Sequence, residues 1–166
     1  MPWQAKLLRN TAAARREVES VVFTRVLDAL PKEQFDYRPH ERSQSARELV
    51  WTLARESRAC SDLIDTGSVD WRHEDPPEDV DAILSEFHQS YRALSDRSTK
   101  LDDTEWQRPV KFLVQGKLMQ EPPLGTFLWY LFFDAIHHRG QLSTYIRPMG
   151  GKVPSIYGPS GDSPPQ

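Results

Sequence analysis

The chain has 166 residues and a mass of 19.2 kDa, a size that fits one domain with its own hydrophobic core. With 38% hydrophobic and 27% charged residues it is too apolar for an intrinsically disordered protein. Its single cysteine, Cys60, excludes an internal disulfide framework and a multi-cysteine metal site. No apolar run approaches the roughly 18 residues of a membrane span. The first ten residues lack a signal-peptide apolar block, so we expect a cytoplasmic protein.

The net charge of −3 is unevenly distributed along the chain. Residues 1–61 carry 11 basic and 8 acidic side chains, residues 62–105 carry 4 and 13, and residues 106–166 carry 6 and 3. The acidic middle third would repel a phosphate backbone, and no basic stripe interleaved with aromatic residues occurs elsewhere. We therefore expect neither a nucleic acid nor a membrane as partner.

The first two predicted helices lie in long intervals free of proline, which interrupts helix interiors. The first spans residues 3–30 and ends at Pro31. The second starts after Ser45, because Ser45 and Glu48 have the spacing of a capping box. Gly67 is a suitable C-terminal cap for this second helix.

Two further helices are predicted in the second half of the chain. The third covers about residues 78–100, and the fourth runs from about residue 126 to residue 147. Between them, residues 110–119 fit a short hairpin that turns at Gln115-Gly116, and they fit an irregular flap equally well.

The predicted fold class is all-α, because four amphipathic segments occur without a convincing set of strands. We expect a four-helix bundle with long connections over residues 1–158. Residues 159–166 are rich in Pro, Gly and Ser and are predicted to form an extended C-terminal tail.

Polar side chains occupy the face of the fourth helix that should be apolar. At 100° per residue, Asp134, His138 and Gln141 share a face with Phe127 and Leu131. Burial of an ionised carboxylate without a partner is costly, so Asp134 requires a cation or hydrogen-bond donors.

Three kinds of partner for Asp134 are open at this point. One is a metal ion, held together with His138 one turn away and with Glu56 of the second helix. The second is an arginine such as Arg139, and the third is a hydrogen bond to His138 without metal. Oxygen and nitrogen ligands suit Zn²⁺, Ni²⁺, Mn²⁺ or Fe²⁺, and composition does not choose among these metals.

Several other residues are interpreted as structural. Cys60 is expected in the core rather than as a nucleophile, because no sequence feature lowers its pKa. Gly140 lies inside a helix, where glycine is unfavourable, so we expect close packing against it. The aromatic residues between 127 and 133 predict core contacts and a partner interface. Three histidines are predicted to be surface or packing residues: His40, His73 and His88.

Two segments of the chain resemble landmarks of a known superfamily. Residues 137–151, with residues 153–158 after them, are similar to the C-terminal signature of the DinB-like superfamily. Residues 36–39 followed by residues 45–50 resemble the superfamily's junction leading into the second helix. The resemblance covers nearly the whole chain. It implies a four-helix bundle with a central metal site, often as a homodimer.

The superfamily's usual metal site consists of three histidines, one on the second helix and two on the last. The resemblance maps these positions onto Thr52, Asp134 and His138, so only His138 keeps the family residue. Glu56, one turn beyond Thr52, is our own substitute for the missing ligand.

The superfamily is named for damage-inducible expression and includes bacterial thiol-dependent transferases and isomerases. The resemblance therefore implies a metal-dependent enzyme, of hydrolase or thiol-transferase type, acting on a small molecule with a thiol as cosubstrate. We expect Tyr145, Gln141 and Arg139 to orient the substrate. The alternative is a catalytically inactive, dimeric binding or scaffold protein, which the replacement at Thr52 favours.

Overall fold

Across residues 2–163, whose backbone the computed structural model describes, the chain forms five α-helices and a small sheet, with side chains described from residue 6. No described helix combines the length and the apolar character needed to cross a bilayer. The helices are α1 (Pro2–Asp28), α2 (Ala46–Thr66), α3 (Val80–Ser98), α4 (Asp103–Gln107) and α5 (Leu124–Tyr145). The strands are β1 (Ser68–Trp71), β2 (Lys111–Val114) and β3 (Lys117–Gln120).

Both predicted ends of α2 are confirmed. The Ser45 hydroxyl accepts a hydrogen bond from the Glu48 backbone N–H at 3.2 Å, and the Glu48 carboxylate accepts one from the Ser45 N–H at 2.6 Å. Gly67 adopts a left-handed conformation with φ of 79°, and its N–H donates to the Leu63 carbonyl at 3.1 Å. Local side-chain chemistry therefore determines where this helix begins and ends.

The small sheet corrects the all-α prediction. β2 and β3 form the expected antiparallel hairpin, and its turn contains Gln115 and Gly116 with φ of 51° and 80°. The irregular-flap alternative is therefore excluded. β1 was not predicted, and it pairs in parallel with β2, so that Ser68 lies opposite Lys111. A strand of only four residues carries too little alternation to be recognised before its distant partner is known.

The long helices pack around α2, which contacts both α3 and α5, while α1 contacts α3, α4 and α5. Their buried apolar side chains form two clusters. Along α2, the first cluster extends to Ala54 and the second starts at Cys60. The stretch between them, which contains Glu56, is where the candidate site lies.

Glycine packing differs from the prediction. A Cβ atom added to Gly140 would meet no atom within 4 Å, so the expected close packing at this position is wrong. The close approach occurs instead at Gly125 in the first turn of α5, where an added Cβ would overlap the indole of Trp106. Trp106 belongs to α4, a five-residue helix that was not predicted.

The segment after α5 is irregular, as predicted, and is attached to the bundle through Tyr157, whose hydroxyl donates to Glu19 of α1 at 2.9 Å. Contacts within the segment also order it. Arg147 forms an ion pair with Asp162 at 2.9 Å, and Asp162 also accepts a hydrogen bond from the Val153 N–H at 2.9 Å. Of the predicted tail, residues 164–166 lie outside the described residues.

Candidate metal centre

Helices α2 and α5 bring two carboxylates and one imidazole together. The His138 Nε2 atom lies 3.4 Å from the Glu56 Oε1 atom and 3.8 Å from the Asp134 Oδ1 atom. One ligand atom from each of the three side chains lies within 4.8 Å of the other two. The structure thus joins the three residues that the sequence singled out as metal ligands.

Glu56 is the most deeply buried member of this group. The residue is 5% exposed, and its Oε2 atom has no hydrogen-bond partner among the described residues. Burial raises the pKa of Glu56 to about 7, although the hydrogen bond and charge of His138 act in the opposite direction. A buried carboxylate oxygen without a partner is costly unless a cation or donor meets it.

His138 is held by a hydrogen bond at its other ring nitrogen. The Gln141 side-chain oxygen lies 2.9 Å from the Nδ1 atom and accepts a hydrogen bond from its N–H, which leaves Nε2 directed to the two carboxylates. Burial lowers the pKa of His138, but hydrogen bonds to Glu56 and Gln141 and the nearby negative charges outweigh it and raise this pKa to about 9. These partners therefore favour the protonated form of His138 in the metal-free protein.

The three side chains fit a divalent metal ion. The distances of 3.4 and 3.8 Å exceed the 2.7–2.9 Å of a tight charge-assisted hydrogen bond, so the groups converge without closing on one another. Two carboxylates and one imidazole are a ligand set used by first-row divalent metals. The unpartnered oxygen of Glu56 and the Nε2 atom of His138 are the natural donors.

A cavity of about 560 Å³ opens onto this group. Its walls come from α2, α5 and the small sheet, so the unpredicted β1 strand contributes directly to the site. Sequence analysis did not place Arg55 or Trp71 at the site, and it interpreted Tyr130 as a core or interface residue, yet all three line this cavity. The Arg55 guanidinium lies over the Trp71 indole, 4.1 Å from the ring centroid. The proximity of Arg55 to Glu56 in the sequence was the only available signal for it.

Thr52, at the first ligand position implied by the family resemblance, lines the cavity without joining the ligand group. Its hydroxyl donates to the Glu48 carbonyl at 2.9 Å and accepts from the Gln44 side chain at 3.3 Å. The Tyr145 hydroxyl donates to the Gln44 carbonyl at 3.1 Å, so Tyr145 supports the cavity wall from behind. Gln141 likewise acts on the site through His138.

Arg139 is placed differently from the prediction that it orients a substrate or pairs with Asp134. Its guanidinium forms an ion pair with Glu19 of α1 and donates to the Tyr157 hydroxyl at 2.6 Å. Arg139 is 2% exposed and Glu19 is fully buried. Glu19 neutralises the charge of Arg139. Arg139 is also absent from the described residues that line the 560 Å³ cavity.

Two residues interpreted as structural are also located. Cys60 is buried, and burial raises the pKa of its thiol to about 12, in agreement with a core residue rather than a nucleophile. His73 is exposed, as predicted, and lies 2.9 Å from Asp75, but it also lines the mouth of the cavity.

The free energy of unfolding of the metal-free protein is expected to fall as pH rises from about 4.5 to about 9. The pKa of Glu56 rises from 4.5 to about 7, and that of His138 from 6.5 to about 9, so both groups hold protons more tightly when folded. The contribution of each group to stability is complete at a pH below its pKa in the unfolded state, and it is lost as pH rises through its pKa in the folded state. Urea denaturation in EDTA measures this. An equally steep slope in the Glu56→Gln/His138→Gln double variant would contradict the assignment.

The chain is similar to one family and to several known proteins. A model of the DinB family matches residues 4–164. Uncharacterized protein YrdA of Bacillus subtilis (strain 168) is 31% identical in an alignment of 120 residues. The alignment covers 66% of this chain and 68% of the relative.

Three solved structures share the fold. A DinB-like protein from Bacillus subtilis has a TM-score of 0.64 and 18% identity, over 88% of this chain and 94% of that one. A DinB-like protein from Bacillus cereus ATCC 10987 has a TM-score of 0.65 and 20% identity, over 84% and 91%. The mycothiol-dependent maleylpyruvate isomerase has a TM-score of 0.57 and 14% identity, over 94% of this chain and 64% of the isomerase. At these identities the likeness concerns the fold alone.

Proposed function

The chain belongs to the DinB family, and from that premise we propose that it is a metal-dependent enzyme acting on a small molecule in the cavity between α2 and α5. One observation carries the proposal: Glu56, Asp134 and His138 converge at this cavity, while a buried oxygen of Glu56 has no partner among residues 6–163. A volume of about 560 Å³ lies in the range of small-molecule sites.

Glu56, Asp134 and His138 would hold the metal, and Gln141 would keep the His138 ring in place. When bound, a divalent ion supplies Lewis acidity, which polarises a carbonyl or lowers the pKa of a water or thiol. Two carboxylates neutralise more of the ion's charge than the family's histidines would. We therefore expect this site to favour harder ions such as Mn²⁺ and Fe²⁺ more than a three-histidine site does, with Zn²⁺ and Ni²⁺ as competitors.

The residues of the cavity wall bind and orient the substrate in this proposal. Arg55, stacked on Trp71 and held by an ion pair with Glu74 at 3.4 Å, lines the cavity and meets an anionic group of the substrate. Tyr130, which is exposed, offers a hydroxyl and a ring face at the same cavity. The small sheet covers one side and limits the access of water, which strengthens electrostatic interactions inside.

The reaction we propose is of hydrolase or thiol-dependent transferase type. The mycothiol-dependent maleylpyruvate isomerase uses a thiol on the same fold, which favours a thiol as cosubstrate for this chain as well. The cavity leaves room beside the ligand group for both a thiol and an acceptor molecule.

Metal titration tests the proposal. Protein purified without a nickel column and stripped with EDTA is titrated with Mn²⁺, Zn²⁺ or Ni²⁺ by calorimetry, and we expect one ion per chain. Binding should be lost in Glu56→Gln and in His138→Ala. Thr52→Ala is the matched control, because Thr52 lines the cavity outside the ligand group, and it should bind normally. Wild-type protein that remains metal-free in excess Mn²⁺, Zn²⁺ and Ni²⁺ would disprove the proposal.

A spectroscopic experiment tests the thiol. Protein loaded with Co²⁺ is mixed with 2-mercaptoethanol, and we expect a sulfur-to-cobalt charge-transfer band because a thiolate is a strong ligand for such ions. An unchanged spectrum at saturating thiol would leave the hydrolase type as the surviving form of the proposal.

A second candidate function, a dimeric binding or scaffold protein, is favoured by apolar side chains on the surface of α1. Leu7, Val18 and Val21 are each more than half exposed, and their spacing places them on one side of the helix. This function predicts a dimer in sedimentation experiments together with no metal binding. A metal-binding monomer would exclude it.

A further inference from the structure

A second cavity, of about 800 Å³, lies between α1 and α3 and is separate from the candidate metal centre. None of the three candidate ligands is among its described lining residues. Its walls include the rings of Phe87 and Tyr91 as well as several hydroxyl and charged side chains. The volume suits a small organic molecule.

Arg16 is the unusual member of this lining. It is 5% exposed, yet its guanidinium has no salt bridge and no side-chain hydrogen bond among the described residues. The Cζ atom lies 4.9 Å from the ring centroid of Phe132 and 6.0 Å from that of Tyr91. These cation–π contacts offset part of the cost of burying the charge. None of the Arg16 nitrogens is a fully buried atom without a partner, so its N–H donors keep access to the cavity.

Two other arginines of this region are paired with an acidic side chain. Arg139 is equally buried and has Glu19 and Tyr157 as partners, and the neighbouring Arg15 pairs with Glu19 at 2.9 Å. Arg16 borders a void of about 10 Å³ that Glu56 also borders, but no bond joins the two side chains. Unlike these two arginines, Arg16 at the second cavity is buried without a salt bridge among the described residues.

Most of the remaining polar side chains of the cavity are already engaged or lie in solvent, and the half-buried Ser20 hydroxyl is a further donor there. Four hydroxyls that line it donate to helix carbonyls within their own helix turns: Thr24, Ser95, Ser98 and Thr99. Arg92 lines the cavity as an exposed cation. Glu17 and Asp96 also line it and would repel an anion of higher charge. Arg16 is thus the main donor for a ligand that carries a single negative charge.

We propose that this second cavity binds a small organic monocarboxylate. The carboxylate pairs with the Arg16 guanidinium, whose planar donors match it in a bidentate geometry. The apolar part of the ligand packs on the rings of Phe87 and Tyr91. This site is independent of the metal-dependent function proposed above.

Binding of benzoate tests the proposal, with calorimetry on EDTA-treated protein so that the metal centre does not contribute. Wild-type protein should bind benzoate saturably. Benzyl alcohol, which has the ring without the charge, and acetate, which has the charge without the ring, should bind at least about tenfold more weakly. Inorganic phosphate should also bind more weakly because Glu17 and Asp96 repel its second charge. Equal affinity for benzoate and benzyl alcohol, or no binding of benzoate, would overturn the proposal.

Substitutions locate the ligand. Arg16→Met keeps an unbranched apolar stem without the guanidinium and should weaken benzoate at least about tenfold, while the exposed Arg92→Met should change its affinity less than about twofold. Because Arg16→Met removes an unpaired buried charge, the variant should be at least as stable as the wild type without ligand. Benzoate should bind unchanged to Asp134→Asn. Undiminished binding in Arg16→Met, or a loss of binding in Asp134→Asn, would refute the assignment to this cavity.

Discussion

Glu19→Gln is expected to lower the free energy of unfolding by about 3–5 kcal/mol. The Glu19 carboxylate is fully buried and faces Arg15, Arg139 and the Tyr157 hydroxyl. Removal of its charge leaves the Arg139 guanidinium, itself 2% exposed, without a counter-ion in the interior. One buried charge without a partner costs more free energy than the intact ion pair contributes when the pair is compared with two apolar side chains.

Urea denaturation of Glu19→Gln measures this effect, and Arg147→Gln is the matched control. Arg147 also forms an ion pair, with Asp162 at 2.9 Å, but its side chain is 58% exposed, so the loss should be under about 1 kcal/mol. The double variant Glu19→Met/Arg139→Met should recover much of the loss, because it removes both charges together. Equal losses in Glu19→Gln and Arg147→Gln would show that the buried pair is not the cause.

The same variants separate two roles for Arg139. If Arg139 acts only in this buried cluster, as its contacts indicate, Glu19→Met/Arg139→Met binds metal at the candidate centre with unchanged affinity. A direct role in the site would instead appear as altered binding in a stable protein.

Gly125→Ala and Gly140→Ala are expected to change stability in opposite directions although both glycines lie in α5. An added methyl group at Gly125 overlaps the indole of Trp106, which is buried against α5, so we expect a loss of about 3 kcal/mol. The methyl group at Gly140 meets nothing within 4 Å, and alanine should stabilise the helix by about 0.5–1 kcal/mol.

Thermal and urea denaturation of the two variants measure the difference. Trp106→Leu gives the added methyl group room. The Gly125→Ala/Trp106→Leu double variant should therefore lose less free energy of unfolding than the sum of the losses of the two single variants. Additive losses, or losses of the same size at Gly125 and Gly140, would contradict the role of the indole.

The features that sequence analysis predicted correctly depend on neighbouring residues. The capping box of Ser45 and Glu48, the left-handed Gly67 and the hairpin turn at Gln115-Gly116 each depend on a few adjacent residues. The face that Asp134, His138 and Gln141 share likewise follows from the helix period. These interactions span at most one helix turn.

The features that were missed depend on pairs of residues far apart in the chain. β1 needed β2 as its partner, the close contact at Gly125 needed Trp106, and the position of Arg139 needed Glu19. The metal-centre cavity gains Trp71 and Arg55 only because the sheet docks beside α2. No local pattern reports such contacts.

The sequence by itself determined the four long helices, both ends of α2 and the polar face of α5, because short-range hydrogen bonds and helical periodicity act within a few residues. Only the tertiary structure decided which buried charges meet a partner. Within the part of the chain that the structure describes, Glu19 meets Arg139, whereas an oxygen of Glu56 has no partner and Arg16 forms no salt bridge. The free energy of a buried charge depends on every group packed around it, and that surrounding is assembled from distant parts of the chain.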